Sequence, residues 1–534
     1  MSVIIDDLRR IEGLQGSPNK QIPPGMIEIQ YATLHFAKPA NEQPIGEFIQ
    51  RIYLYEGMEC TAVSGWIEIQ DTWNLVRNGI ILGQELLYLK FRTPESDFPV
   101  DFTQTPLLVY KIEDMQELRT SSGAPSQTTL TYKLHVISPE QVRSDRTRIS
   151  ETMQGSCSHL IKNILTKHIK TVKPMDIEVS EELRHIIMPN VRPFQAITNY
   201  LVGSAQAQTK QTGGGEMGGR GSTSNSVFKG NKVTDFYFYE TTKGYKFKSA
   251  QQLFDPDMTF TIGTTPSNPG YLGTMTTSTQ HSYLTPADTL FPVRQGTWAT
   301  THIRHSASTK SFNITESNYH RSLEKLKYAY VSETPVYATN GVTDTNIKGE
   351  PARISDFPES RVMFDSSASR KTTNINKTNG NVTFPWSIPS PNVALQRLMQ
   401  TEHLMNYQLL NVRLHGISGL EAGMVLYLNL PDIGEGSGYL GGGDAWEDRL
   451  SNLWVIKSLA HTIVTKGNEP AYWCDLTLSN LSRFTLMPLP IHDGTGSSKF
   501  GSPGGRKPTN GTTSGSSTPN QVEGEVDANP SGVG

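Results

Sequence analysis

Three kinds of residue in this chain could do chemistry. A G-x-G-x-x-G spacing occurs at Gly436, Gly438 and Gly441, two imidazoles lie close together at His302 and His305, and carboxylates are paired at Asp6–Asp7 and Glu181–Glu182. The glycine spacing would cradle a pyrophosphate if it followed a parallel strand and opened a helix, because the helix N-terminus carries the anion. Here it lies between segments that alternate like antiparallel strands and leads into DAWEDRLSNLW, with no helical pattern to receive a phosphate. It reads as a hairpin loop. His302 and His305 could give a metal two ligands, but no third His, Cys or carboxylate sits at ligand spacing, and a strand would put the two on opposite faces. The adjacent carboxylates imply no aromatic cleft, although the two carboxylates of a glycosidase can be far apart in a chain. There is no G-x-S-x-G, and Cys60, Cys157 and Cys474 form no zinc-type pair and lack a nucleophile context. Asn313-Ile314-Thr315 and Asn376-Lys377-Thr378 match the glycosylation pattern only because these segments are rich in Asn and Thr. No catalytic, cofactor-binding or metal-binding residue is assigned, and no cofactor is expected.

The most distinctive short stretch is FYFYETTKGYKF, Phe236 to Phe247. Exposed rings around a KGYKF core would suit stacking on RNA bases. That reading needs a second aromatic motif on a neighbouring strand and a basic surround. Neither is present, and a formal net charge of -3 gives no footprint for nucleic acid or anionic membrane. The alternative is a packed hairpin, with Phe236 and Phe238 alternating with Tyr237 and Tyr239, TTKG as the turn, and Tyr245 and Phe247 sharing a face. Each buried ring is worth about 1.5–3 kcal/mol, enough to fasten the hairpin to a neighbour. Lys243, Lys246 and Lys248 then read as its solvated side.

The elements that must carry these residues are mostly strands. A chain of 534 residues exceeds one compact core. Its 19% charged residues, 46 Gly and 32 Pro favour a β-rich protein. Three widely spaced cysteines suggest no disulfide framework and fit a reducing cytoplasm. MSVIIDDLRR places charges where a secretory leader needs an apolar run, and no stretch approaches the ~20 apolar residues of a membrane span. Residues 26–138 alternate with period two, as in GWIEIQ and ELLYLKF. In 151–170, Leu160, Ile161, Ile164, Leu165 and Ile169 share a helical face behind an N-cap at Ser156 or Ser158. A second helix is expected near Pro193. Residues 211–226 are a Gly-rich loop, and 340–385 are expected to be an exposed Asn/Thr-rich loop or excursion.

An internal repeat organises the rest. GQELLYLKF, PLLVYKIED and LTYKLHVIS follow one another from Gly83 to Ser138; GMVLYLNLP, LWVIKSLAH and YWCDLTLSN do so from Gly423 to Asn480. Each set is a Gly and an alternating strand, a strand with Val-Tyr-Lys or Val-Ile-Lys, and a third strand ending near a Ser. Such a repeat suggests two related β-barrels in one chain.

In chain order, WIEIQDTWNLVRNGIILGQELLYLKF, VYKI, NVRPFQAITNYL (Arg192, Pro193, Phe194), FYFYETTKGYKFKSAQQLF and SGLEAGMVLYL…LWVIKSLAHTIVTKG…YWCDLTLSN (Gly423, His461) resemble the baseplate hub proteins of contractile-tailed bacteriophages, and more loosely the hub half of type VI secretion spike proteins. The resemblance implies a β-rich α+β fold: two tail-tube-like antiparallel β-barrels plus a smaller inserted α+β domain, assembling as a ring. The expected parts are an N-terminal arm (1–25), a first barrel (26–145), the inserted domain (146–255), a second barrel (256–330 and 392–487), an Asn/Thr-rich excursion (331–391) and a flexible C-terminal tail (488–534). Fully extended, that tail could reach about 150 Å. The resemblance further implies a homotrimer in the virion, assembled in the host cytoplasm, joining the tail tube protein or a tube-terminal adaptor to the central spike. Wedge or inner baseplate proteins would surround it, and DNA would meet it only in transit. It implies no catalysed reaction. The alternatives are a cell-wall-acting β-rich enzyme or carbohydrate-binding tail protein, and the hub of a non-phage injection system.

Overall fold

The computed structural model describes residues 25–36, 42–94, 98–119, 128–180, 184–205, 236–253, 259–263, 280–284, 290–306, 310–319, 352–367, 405–406, 409–429, 452–465 and 471–480. They belong to the unit Met1–Phe484; a second unit, Thr485–Gly534, lies outside them. Also outside are most of the expected arm, both carboxylate pairs, the loop at 211–226 and the Gly436–Gly441 motif.

The first half supplies β1 (Glu28–His35), β2 (Glu42–Pro44), β3 (Ile49–Gly57), β4 (Ser64–Asp71), β5 (Leu86–Arg92), β6 (Val100–Asp101), β7 (Leu107–Arg119) and β8 (Thr128–Ile137). Alternation dictates their faces: in β5, Leu87, Leu89 and Phe91 are buried while their neighbours are half-buried. The middle region adds β9 (Thr152–Gly155), β10 (Met175–Ile177), β11 (Arg184–Ile187), β12 (Phe236–Thr241) and β13 (Gly244–Ser249). The last part holds β14 (Thr259–Gly263), β15 (Gln280–Tyr283), β16 (Ala299–Ser306), β17 (Ser311–Asn318), β18 (Val362–Ser367), β19 (Leu409–His415), β20 (Val425–Asn429), β21 (Asn452–Val464) and β22 (Ala471–Asn480).

One sheet runs through both halves in the order β15-β19-β22-β21-β3-β4-β8-β7-β5-β1-β2. Its central joint is β3 against β21, antiparallel from Gly57 opposite Ser458 to Arg51 opposite Val464. A single hydrophobic core accordingly includes Ile52, Ile67 and Phe91 together with Trp454, Ile463 and Leu476. Among the described residues the sheet path is open, ending at β15 and β2.

The repeat is visible in the pairing. Leu86 faces Leu108 in β5–β7, as Val425 faces Val455 in β20–β21. The long strand of each copy then slips by one residue against the last, between Val109 and Lys111 in one copy and between Ile456 and Ser458 in the other. A matching bulge at a matching place is a demanding likeness, because a one-residue slip inverts every following side chain. On the far side β4 pairs with β8 as β19 pairs with β22.

The middle region has its own core. Cys157–Asn163 is helical and continues as a wider turn through Ile169, with Leu160, Ile161, Ile164, Leu165 and Ile169 all buried, as the spacing predicts. The Ser156 hydroxyl caps it by accepting from the His159 amide at 3.3 Å. Pro193 opens the second helix. The strand order β10-β13-β12 forms the adjoining sheet.

The last part departs from expectation. β14 and β15 join the main sheet, but β16 and β17 form a separate sheet with β18, which comes from the Asn/Thr-rich stretch expected to be loop. VMFDSS supplies the apolar β-forming positions that the surrounding composition obscured. His302 and His305 lie on β16; His302 is buried and His305 packs on Phe312, with ring centroids 4.8 Å apart. Among the described residues no group of three or more metal-ligating side chains converges, and no helix is long and apolar enough to cross a membrane.

Candidate functional site

The β12–β13 hairpin sits where the first half, the middle region and the second half meet. Its two-residue turn, Thr242–Lys243, requires Gly244 at φ +128, where a Cβ would stand 2.4 Å from the Pro174 carbonyl oxygen. Phe238 lies directly opposite Phe247, and the same face carries Phe236, Tyr245 and Glu240. Phe236 stacks on Phe247 at 4.5 Å and Phe238 on Tyr245 at 5.6 Å, all within the middle core beside Phe194. The opposite face is buried too: Tyr239 enters a small cluster with Met58, Ala422, Val425 and Val455, which come from both halves. A Cβ on Gly423 would lie 2.1 Å from the Tyr239 hydroxyl oxygen, so this approach needs glycine. The rings are structural, which removes the base-stacking surface.

Charges close the joint on both faces. On the first, Lys173 Nζ donates to Glu240 (2.5 Å) and Ser138 Oγ (3.0 Å) and contacts Glu140 at 3.0 Å. The second oxygen of Glu240 accepts the Val63 amide at 2.9 Å, so this carboxylate ties the hairpin to the loop between β3 and β4. Burial opposes the Lys173 charge, but Glu240 and Glu140 outweigh it and hold its pKa above the usual lysine value. On the second face, Glu56 of β3 accepts from the Thr242 amide and from the Ala422 amide, each at 2.6 Å. Beside it Glu421 pairs with Lys246 (2.8 Å) and accepts from the Thr241 hydroxyl (3.1 Å). Burial, and next the Glu421 charge, raise the Glu56 carboxyl to about 7.

Two of the three expected solvated lysines are therefore corrected. Lys246 and Lys248 are 17% and 14% exposed and paired with Glu421 and Asp176, because a neighbour covers each face of the hairpin. Lys243, at the turn, is 44% exposed as expected and donates to the Gly419 carbonyl at 3.0 Å. His461 lies in a second, apolar seam. It is fully buried, its Nδ1 is 2.8 Å from the Tyr472 hydroxyl, and its ring meets Phe91 of the first half edge-on at 6.0 Å. Burial pushes its pKa down to about 4.

Sequence reasoning missed Glu56, Glu140, Lys173, Glu240 and Glu421. Only Glu240 carried a signal: a carboxylate on the same alternating face as Phe236 and Phe238 must be buried and partnered. The others are assembled from positions up to 366 residues apart. The arrangement holds parts together through paired charges and backbone amides drawn from distant segments.

No family model and no curated protein matches this chain. Among solved structures it is similar to a tail protein from Neisseria meningitidis MC58 (8% identity, 84% of this chain and 97% of that one, TM-score 0.42). It is also similar to the 43 kDa tail protein of prophage MuSo2 from Shewanella oneidensis (7% identity, 85% and 98%, TM-score 0.43). A third similar structure is a type VI secretion component of E. coli, itself structurally similar to bacteriophage T4 tail proteins (8% identity, 87% and 81%, TM-score 0.36).

Proposed function

We propose that this chain is a structural hub of a contractile tail, a homotrimer whose six strand units form a pseudo-sixfold ring between the tail tube and the central spike. The observation that carries the reading is the joint between β3 and β21, which fuses one copy of the repeated unit to the other inside a single chain. The same joint made between chains would close a ring, because each unit offers the same strand sequence to its neighbour. The internal register then specifies the contact: β15 stands to β19 as β3 stands to β4, so β15 of one chain lies beside β7 of the next, with Ser282 near Gln116. Two barrels, a central passage for DNA, and contacts with tube, spike and baseplate proteins belong to this reading, as does the absence of catalysis.

A further feature supports assembly. The loop between β4 and β5 is pinned by carboxylates: Asp71 accepts the Trp73 and Leu75 amides, and Glu85 accepts those of Leu82, Gly83 and Gln84. Yet it exposes Trp73, Ile80 and Leu82 at 59%, 41% and 75%. A rigid loop with apolar side chains in water suits a protein partner. The test is native mass measurement with the pair Ser282→Cys and Gln116→Cys. A trimer that forms the cross-chain disulfide under oxidation supports the ring; a monomer at all concentrations overturns it.

A further inference from the structure

The sheet of β16, β17 and β18 is apolar on its exposed face. Ile303 lies opposite Ile314 on one side and opposite Phe364 on the other, with Phe312 opposite His305 and Val362 opposite Thr301, so these residues share one face. Phe312, Ile314 and Phe364 are 69%, 64% and 73% exposed and Val362 is exposed as well, while β16 buries Thr300 and His302 on its other face. A half-solvated sheet normally does the reverse, apolar side in and polar side out. The four exposed side chains offer about 400–500 Å² of apolar surface, enough to mark a contact but little more than half of the roughly 800 Å² per partner that an independent interface buries. The face therefore suits an extension of a larger contact better than a separate partner.

The chain that carries the sheet connects it to such a contact. β16, β17 and β18 lie in the connection from β15 to β19, where the first copy has only the short connection from β3 to β4. That short connection lies against the middle region of its own chain: the Cys60 carbonyl accepts the Glu240 amide at 3.1 Å, and Met58 packs with Tyr239. In the ring reading, on which this inference rests, β15 is the strand that meets β7 of the next chain. Ser282 near Gln116 then brings Leu284 to Glu113, as Tyr55 meets Ala460 within the chain, and the backbone leaving β15 heads along β7 toward Leu108. Leu108 pairs with Ile137, the last residue of β8, and the helix Pro139–Arg146 that follows opens the middle region. The middle region in turn exposes Val172, Val179 and Ile187. We propose that the apolar face of this sheet is covered by the middle region of the next chain, so that each subunit clasps its neighbour beyond the strand joint.

Maleimide labelling of Ile314→Cys in the full chain tests the contact, with the unsubstituted chain as the control for Cys60, Cys157 and Cys474. Reaction at position 314 should be slow in the trimer and should reach the rate of an exposed thiol once dilution releases single chains. Slow reaction in single chains as well would mean that a segment of the same chain covers the face, and fast reaction in the trimer would leave it to a different protein; either overturns the proposal. Benzophenone attached at position 314 should crosslink to residues 139–253 of the neighbour, and crosslinks confined to other segments overturn it too. Phe312→Ser combined with Phe364→Ser should weaken the trimer on the order of tenfold or more and leave the thermal unfolding of single chains unchanged; an unweakened trimer counts against the contact equally. A trimer that forms the disulfide between positions 282 and 116 but fails these tests keeps the ring reading and loses this one, whereas a chain monomeric at all concentrations loses both.

Discussion

The two copies of the strand unit agree within the sheet and differ at the turn that leads into it. Counting back from the matched pairs Leu86–Leu108 and Val425–Val455, Ile81 corresponds to Leu420, and both are buried. The next position is Leu82 in one copy and Glu421 in the other. In the first copy Glu85 satisfies the turn from within, and Leu82 is left 75% exposed. In the second, Glu421 reaches outward to Lys246 and Thr241, and the hairpin covers it. A duplicated unit keeps what its own ladder requires and diverges where its neighbours differ.

That contrast can be broken experimentally. The largest effect is expected at Lys173, the cation of the buried triad. Lys173→Met leaves Glu240 and Glu140 without it and should cost about 3–5 kcal/mol in denaturant unfolding. Adding Glu240→Gln should recover part of that loss; if it recovers none, the ionic account of the joint is wrong.

The second copy also carries His461 at a place where β7 instead bulges, between Glu113 and Gln116. With a pKa near 4 when folded, below the ordinary histidine value, the neutral ring favours folding above about pH 6.5. Its contribution is lost as pH falls toward 4, by about 3 kcal/mol at most. His461→Gln should flatten the acid side of the stability curve, and an unchanged slope would exclude His461 as its source.

Two glycines, one in each lead-in and one position apart by the same count, sharpen the comparison further. Gly83 and Gly423 have φ of +87 and +86, but the first has nothing nearer than Ile112 at 3.8 Å, while the second faces Tyr239 at 2.1 Å. Gly83→Ala should cost about 1 kcal/mol for the left-handed backbone. Gly423→Ala should cost about 3 kcal/mol, because the fixed ring must also move. Equal costs would mean that the Tyr239 contact contributes nothing. The smallest change is Leu82→Ser, within about 0.5 kcal/mol of wild type in thermal unfolding. A large loss there would show that the first lead-in is covered as the second is.

Much of this was legible in advance. Alternation located the strands of both halves, the 3.6-residue spacing found the helical face from Leu160 to Ile169, and the repeat named the strand triplets that share a bulge. Lys246 and Lys248 misled because alternation tells which residues share a face, not whether another element covers it. β18 was missed because only Val362, Met363 and Phe364 stand out in it, diluted by the polar residues around them. The ionic joint left almost no trace, since Glu56 and Lys173 are unremarkable within their own segments.

Local pattern is a property of neighbours in sequence, and by itself the chain determined its strands, its repeated unit and the packed aromatic hairpin. Which parts meet is a property of neighbours in space. Only the tertiary structure decided that β3 would pair with β21 and that Glu56 would grip Thr242 and Ala422. It also buried the aromatic rings and Glu240 of FYFYETTKGYKF between neighbours on both faces, because a buried charge acquires its partners and its pKa only when distant segments remove the solvent around it.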